Sequence, residues 1–243
     1  MLELLNVSKK FLEFNGLTLN KTRDIRVLNG INLKANDGDV IGIVGRNGSG
    51  KSTLLKILFG SLLPDEGSIE LDGSHKIFRE NTNRFSLFSN NDRSFFWRLS
   101  VKENLDYFNS LSENRNTKYL NELISRFNIN KLIDKPFFTL SSGEKKMAML
   151  IRGLIKDPKI LFFDEFTQSL DLRNKIVIKD LITKIKKEDK KIILWVTHDL
   201  NELKSVCNRV IYMQNGEIKY INDSFTGSNN DIANFENLLL NEK

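Results

Sequence analysis

A single cysteine, three prolines and two histidines are all that this chain of 243 residues holds of those types. One cysteine, Cys207, excludes an internal disulfide and fits a reducing cytosol. Its neighbours Leu203, Val206 and Val210 mark it as a small buried hydrophobe. No apolar run approaches the roughly 20 residues needed to span a bilayer. The start, Met1-Leu2-Glu3-Leu4-Leu5, lacks the basic segment and long apolar stretch of a signal peptide. Internal repeats and low-complexity tracts are also missing. Acidic residues are the minority, 31 against 37 lysines and arginines, giving a net charge of +6. That excess does not point to nucleic acid, because many lysines lie in mixed-sign runs. Lys186 to Lys191, with Glu188 and Asp189, is such a solvated helix face. A modest positive charge also suits the anionic cytoplasmic face of a membrane, by attraction rather than insertion. The composition that remains, 40% hydrophobic and 28% charged, is that of a soluble globular protein.

Against this background one run stands out: Gly45-Arg46-Asn47-Gly48-Ser49-Gly50-Lys51-Ser52-Thr53. It fits G-x-x-x-x-G-K-S/T. The apolar run Val40 to Val44 precedes it and the helix-like run Leu54 to Leu58 follows, the setting the motif needs. Glycines let the backbone turn tightly and aim N–H groups at phosphate oxygens. The helix beginning at Lys51 adds partial positive charge. Lys51 is expected on the β- and γ-phosphates of a nucleotide, Ser52 on Mg²⁺ and Thr53 near the α-phosphate, with Gly45, Asn47, Gly48, Ser49 and Gly50 forming the cradle.

Around this loop the chain reads as strands at Leu2–Val7, Val27–Leu33, Val40–Val44 and Ser68–Leu71, with Asn15 to Arg26 as an inserted loop. From Val101 to about Asp157 apolar residues fall at helical spacing, as in Leu105, Phe108 and Leu111. Strands and helices alternate again from Ile160, implying a parallel sheet with crossover helices. Asn215-Gly216 between apolar runs signals a hairpin, and Ile232 to Leu240 a short amphipathic helix. His75 has no partner motif and reads as an ordinary surface residue.

Four further segments follow the loop in order: Leu140-Ser141-Ser142-Gly143-Glu144 ahead of a helical run; Ile160 to Phe163 ending in Asp164-Glu165; Ser169-Leu170-Asp171; and Trp195-Val196-Thr197-His198-Asp199. Together with the phosphate loop they resemble the nucleotide-binding subunit of ABC transporters, over about Leu2 to Ile221. The resemblance implies a single α/β P-loop NTPase domain over 1–243. Its parts are a RecA-like parallel-sheet core of about 1–88 and 157–222, an N-terminal antiparallel β-subdomain, an inserted helical subdomain of about 89–156 and a tail of 223–243. It implies binding and hydrolysis of ATP with Mg²⁺. Asp164 would hold the ion, Glu165 would act as general base on the attacking water, and His198 would contact the γ-phosphate and position Glu165 and the water. Phe11 occupies the position expected to stack on adenine, with Phe14 as second choice. Ser141 and the N–H of Gly143 would cap the ATP of a second ATPase subunit, homo- or heterodimeric, and Asp171 would cross that interface. An integral membrane permease is the further partner implied, which places the chain on the inner face of the plasma membrane. Two alternatives stand beside this reading: an ABC ATPase acting on ribosomes or DNA, and a weakly active structural subunit.

The pattern is broken in three places. Ser142 and Glu144 replace the third and fifth residues of the usual L-S-G-G-Q, and a glutamate near an incoming phosphate is electrostatically awkward. Phe88 to Arg93 holds no glutamine, with Asn90 or Asn91 the nearest counterpart, so Asn91 is taken as the ATP-site amide. Phe166 stands where proline usually follows the glutamate. The aromatics Phe95-Phe96-Trp97 between arginines resemble those of ATPases serving exporter-type permeases, so export is the expected direction, with these rings at the permease contact.

Overall fold

Strand β1 (Leu2–Phe14) pairs antiparallel with β2 (Lys21–Ala35) in a computed structural model that describes residues 1–14, 21–74, 82–90, 94–112, 115–168 and 170–240. The chain forms two compact units: Met1–Thr82 with Ile192–Lys243, and Asn83–Lys191.

In the first unit, β1 also pairs antiparallel with β4 (Glu66–Leu71), placing Leu4 opposite both Leu33 and Ile69. Alternate residues of this three-stranded sheet, among them Leu2, Leu4, Leu33, Ile69 and Leu71, are buried, as one packed face demands. The strands are longer than the sequence pattern implies. Lys21 to Arg26, expected within a loop, belongs to β2, with Phe11 opposite Ile25. Backbone pairing carries this hairpin, whose residues 23–26 are all exposed, so no hydrophobic alternation announced it. Residues 15–20 and His75 lie outside the described residues. A second sheet of the unit has the order β7-β3-β8-β9, from β3 (Val40–Val44), β7 (Ile192–Val196), β8 (Arg209–Gln214) and β9 (Glu217–Asn222). β3 runs parallel to β7 and β8, and β9 returns antiparallel through Asn215-Gly216, both at positive φ. Every residue of β3 and β7 is buried, as parallel strands covered on both faces should be. Helices α1 (Lys51–Phe59), α6 (Leu200–Val206) and α7 (Asn229–Leu240) complete the unit, and Cys207 is buried.

The second unit sets β5 (Phe85–Ser89) parallel to β6 (Ile160–Asp164), among helices α2 (Val101–Ser110), α3 (Thr117–Arg126), α4 (Ser142–Leu154) and α5 (Leu172–Asp189). Its core is aromatic where the strands meet: Phe88 and Phe163 stack with ring centroids 4.6 Å apart, and Phe166 meets Phe88 edge-on. Ser100 and Glu103 form a capping box that fixes the start of α2. The aromatic run divides. Phe95 is buried, stacked on Phe137 with centroids 4.3 Å apart, whereas Phe96 and Trp97 are 47% and 60% exposed.

Candidate nucleotide site

The loop joining β3 to α1 turns at Gly45 and Gly50, with φ of 150° and 101°. A Cβ on Gly45 would lie 2.1 Å from the Met213 carbonyl oxygen, and one on Gly50 2.7 Å from Leu28 Cδ2. Neighbouring strands therefore press on the loop from below. The Gly216 N–H donates to the Ser49 carbonyl at 3.2 Å, and the Gly216 carbonyl accepts from the Asn29 N–H at 2.8 Å. The tip, Arg46 to Gly48, is exposed.

Gly50 is the N-cap of α1, no side chain caps the helix, and no acidic residue occupies its first turn. The early N–H groups and the positive end of the helix dipole thus face the loop. Lys51 is buried, with Nζ donating to the carbonyls of Gly45 at 2.7 Å and Arg46 at 2.8 Å. Glycine turns, an uncapped helix start and an ammonium folded over the loop suit an anion with several oxygens. Ser52 and Thr53 follow on the first turn of α1, half-buried.

β7 is registered parallel to β3, with Val196 opposite Ile43, so His198 lies just beyond the carboxyl edge from which the phosphate loop springs. That edge is where α/β sheets bind ligands. His198 is exposed. Behind it the Thr197 hydroxyl donates to buried Glu202 Oε2 at 2.6 Å and accepts from the Asp199 N–H at 3.0 Å, which shapes the turn. Phe11 sits on β1, exposed enough for a ring to stack on it, with Lys9 Nζ 5.8 Å from its centroid. The Phe14 side chain lies outside the described residues.

The second unit holds the carboxylates. Asp164 ends β6 opposite Ser89, and Glu165 follows at φ 49°, a left-handed conformation uncommon for glutamate. The Gln168 N–H closes the turn on the Glu165 carbonyl at 3.0 Å. Phe166 replaces the expected proline by a different device, a fully buried ring that roots the turn in the aromatic core. Lys146 Nζ lies 4.4 Å from that ring's centroid and donates to Asn90 Oδ1 at 3.1 Å. Asn90 Nδ2 in turn donates to Gln168 Oε1 at 3.4 Å. Asn91 and Ser169 lie outside the described residues.

Ser141 is exposed and caps α4: its hydroxyl accepts from the Glu144 N–H at 3.3 Å, while Glu144 Oε2 accepts from the Ser141 N–H at 2.8 Å. This capping box holds the Glu144 carboxyl below the usual glutamate range, chiefly through the Ser141 N–H. Gly143 is buried against Asn174, and Asp171 caps α5 by accepting from the Asn174 N–H at 2.8 Å. Sequence reasoning named Asp171 and Gly143 but missed Asn174, which touches both, and likewise missed Lys146 and Gln168 beside Asn90 and Glu202 behind Thr197. The S-x-x-E spacing of 141–144 was the one signal available in advance, marking a capping box.

No cluster of three or more His, Cys, Asp or Glu side chains suited to a metal occurs among the described residues. Of the residues expected to hold Mg²⁺, Ser52 in the first unit offers a hydroxyl and Asp164 in the second a carboxylate. Hard oxygen ligands of that kind, few in number, match an ion that keeps waters and phosphate oxygens.

A family model described as ABC transporter matches residues 28–168. The chain is 28% identical to the ABC transporter ATP-binding protein NatA of Bacillus subtilis over 90% of its length and 88% of that protein. It is 32% identical to the zinc import ATP-binding protein ZnuC of Buchnera aphidicola, over 84% of its own length and 81% of ZnuC. Among solved structures, cbiO1 of Clostridium perfringens, part of the ABC transporter complex cbiONQ, superposes with a TM-score of 0.80. The match has 26% identity and covers 98% of this chain and 95% of that one. The expectation of export finds no support among such relatives, whose names lean towards import.

Proposed function

The chain belongs to the ABC transporter family as an ATP-binding subunit, an ATPase using ATP with Mg²⁺, and from that premise we propose how its residues do the work. Lys51 and the amides from Gly45 to Thr53 hold the triphosphate, with Phe11 against the adenine. Ser52 and Asp164 would hold Mg²⁺, whose charge would offset that of the phosphates as water attacks. Glu165 accepts the proton of the attacking water and His198 orients it. Two subunits close head to tail, and Ser141 and Gly143 of each cap the nucleotide of the other. Hydrolysis releases the pair and so moves a separate membrane permease. No helix among the described residues is long and apolar enough to cross a membrane.

The observation that carries this reading is the uncapped start of α1 at Gly50, with buried Lys51 bent over the loop. Exposed Phe96 and Trp97 support the permease contact: Phe96 packs edge-on to Tyr107 at 5.0 Å, and Lys145 Nζ lies 5.3 Å from the Trp97 ring. Direction follows the relatives, so import replaces export here. Glu165→Gln tests the whole. The variant should bind ATP, lose turnover by at least about 100-fold and accumulate as an ATP-dependent dimer. Wild-type turnover in that variant would remove Glu165 from its role.

A further inference from the structure

Glu144 poses a physical problem that the capping box alone does not solve. Its carboxylate sits one residue beyond Gly143, at the helix end read above as the partner nucleotide's cap. A negative charge there opposes the triphosphate. The structure places a cation on it. Lys135 Nζ lies 3.3 Å from Glu144 Oε1, while Oε2 is engaged by the Ser141 N–H at 2.8 Å. Both carboxylate oxygens are therefore occupied, one by the backbone and one by an ammonium.

Lys135 is also well anchored for a surface lysine. Its N–H donates to the Leu132 carbonyl at 3.0 Å, and its own carbonyl accepts from the Val101 N–H at 3.0 Å, at the start of α2. Its neighbour Pro136 bridges Ser100. The stem thus leaves a fixed point, and the ammonium has a short path to Glu144. As a contribution to stability such a half-exposed pair counts for little. Its effect on an incoming anion is larger, because it changes the local charge from one negative to neutral beside a helix N-terminus that is itself positive.

We propose that Lys135 is a positioning residue for the ATPase reaction, neutralising Glu144 so that the Ser141–Gly143 helix start accepts the triphosphate of a second copy. The inference rests on the composite site proposed above and acts through Glu144 alone. Its signature is conditional: Lys135 matters only while position 144 is acidic.

The experiment is a double-mutant cycle on the full chain, measuring steady-state ATPase against ATP concentration at low and high salt. Lys135→Met should raise KM for ATP about fivefold, equivalent to about 1 kcal/mol, with kcat changed far less. Lys135→Arg should restore the wild-type KM. In the Glu144→Gln background Lys135→Met should do nothing, since no charge remains to be balanced. The Lys135→Met effect should also shrink at high salt. An equal rise in KM on both backgrounds would show a structural role and overturn the proposal, as would no rise on either. Absence of turnover by the wild-type chain would overturn the proposed function itself, and this inference with it.

Discussion

Asn174 lies so close to Gly143 that a Cβ added there would stand 2.1 Å from its Oδ1. The same asparagine donates through Nδ2 to Asp171 Oδ2 at 2.7 Å. One side chain thus ties the start of α4 to the start of α5, and with them two segments that the sequence offered as separate motifs. Gly143→Ala should therefore destabilise the chain by about 1–3 kcal/mol, the usual penalty of overpacking. Asn174→Ala should recover part of that loss. Chemical denaturation of the two single variants and the double variant checks this, and additive losses would contradict it.

Lys51 gives a second expectation. With its ammonium 2.7 Å from the Gly45 carbonyl, it belongs to the loop as much as to any ligand. Lys51→Met should abolish ATP binding in equilibrium titrations while leaving the chain folded. Retained binding would mean that the loop amides and the helix start suffice alone.

The exposed rings separate docking from catalysis. Trp97→Ala should leave the isolated chain's ATPase within about twofold of wild type. It should weaken association with the permease by more than about tenfold, as loss of an interface aromatic commonly does. Phosphate release reads the first effect and co-purification from membranes the second. Intact association would assign Trp97 to the surface and nothing more.

Acid should loosen the C-terminal helix in a defined window. Asp231 accepts from the Thr226 hydroxyl at 2.8 Å, the Thr226 N–H at 3.0 Å and Asn222 Nδ2 at 2.9 Å. These bonds, that from the Thr226 hydroxyl foremost, hold its carboxyl down to about 2. A depressed folded-state value means stabilisation is complete above the unfolded value of about 4 and fades as pH falls towards 2. Asp231→Asn should cost no more than about 1 kcal/mol at pH 7 after solvent screening, and the difference should vanish near pH 2. Amide exchange across α7 as a function of pH measures it.

Much of this site is legible in the chain because its chemistry is local. Gly45 to Thr53 must be consecutive to make a turn and a helix start, and Asp164-Glu165 must follow an apolar strand. The helix at Ile232 to Leu240 and the hairpin at Asn215-Gly216 were equally plain, being matters of period and turn residue. What stayed hidden depends on distant partners. Lys135 and Glu144 are joined by tertiary placement, and Lys146 reaches Phe166 and Asn90 from another element. The residues of β2 from Arg23 to Arg26 show no alternation because that stretch of hairpin has no buried face to record. The split of Phe95 from Phe96 and Trp97 was equally unreadable, since adjacent rings in an irregular segment carry no period.

The contact of Gly216 with Ser49 has a consequence for anyone altering the gene. Hairpin tips are ordinarily the safest places to graft an epitope or a fluorescent tag, because nothing rests on them. This one is a wedge beneath the phosphate loop: a Cβ on Gly216 would already lie 2.5 Å from the Val27 carbonyl oxygen. Lengthening the turn by even one residue should silence nucleotide binding in a protein that still expresses and folds, a loss whose origin would be invisible from the position of the insertion.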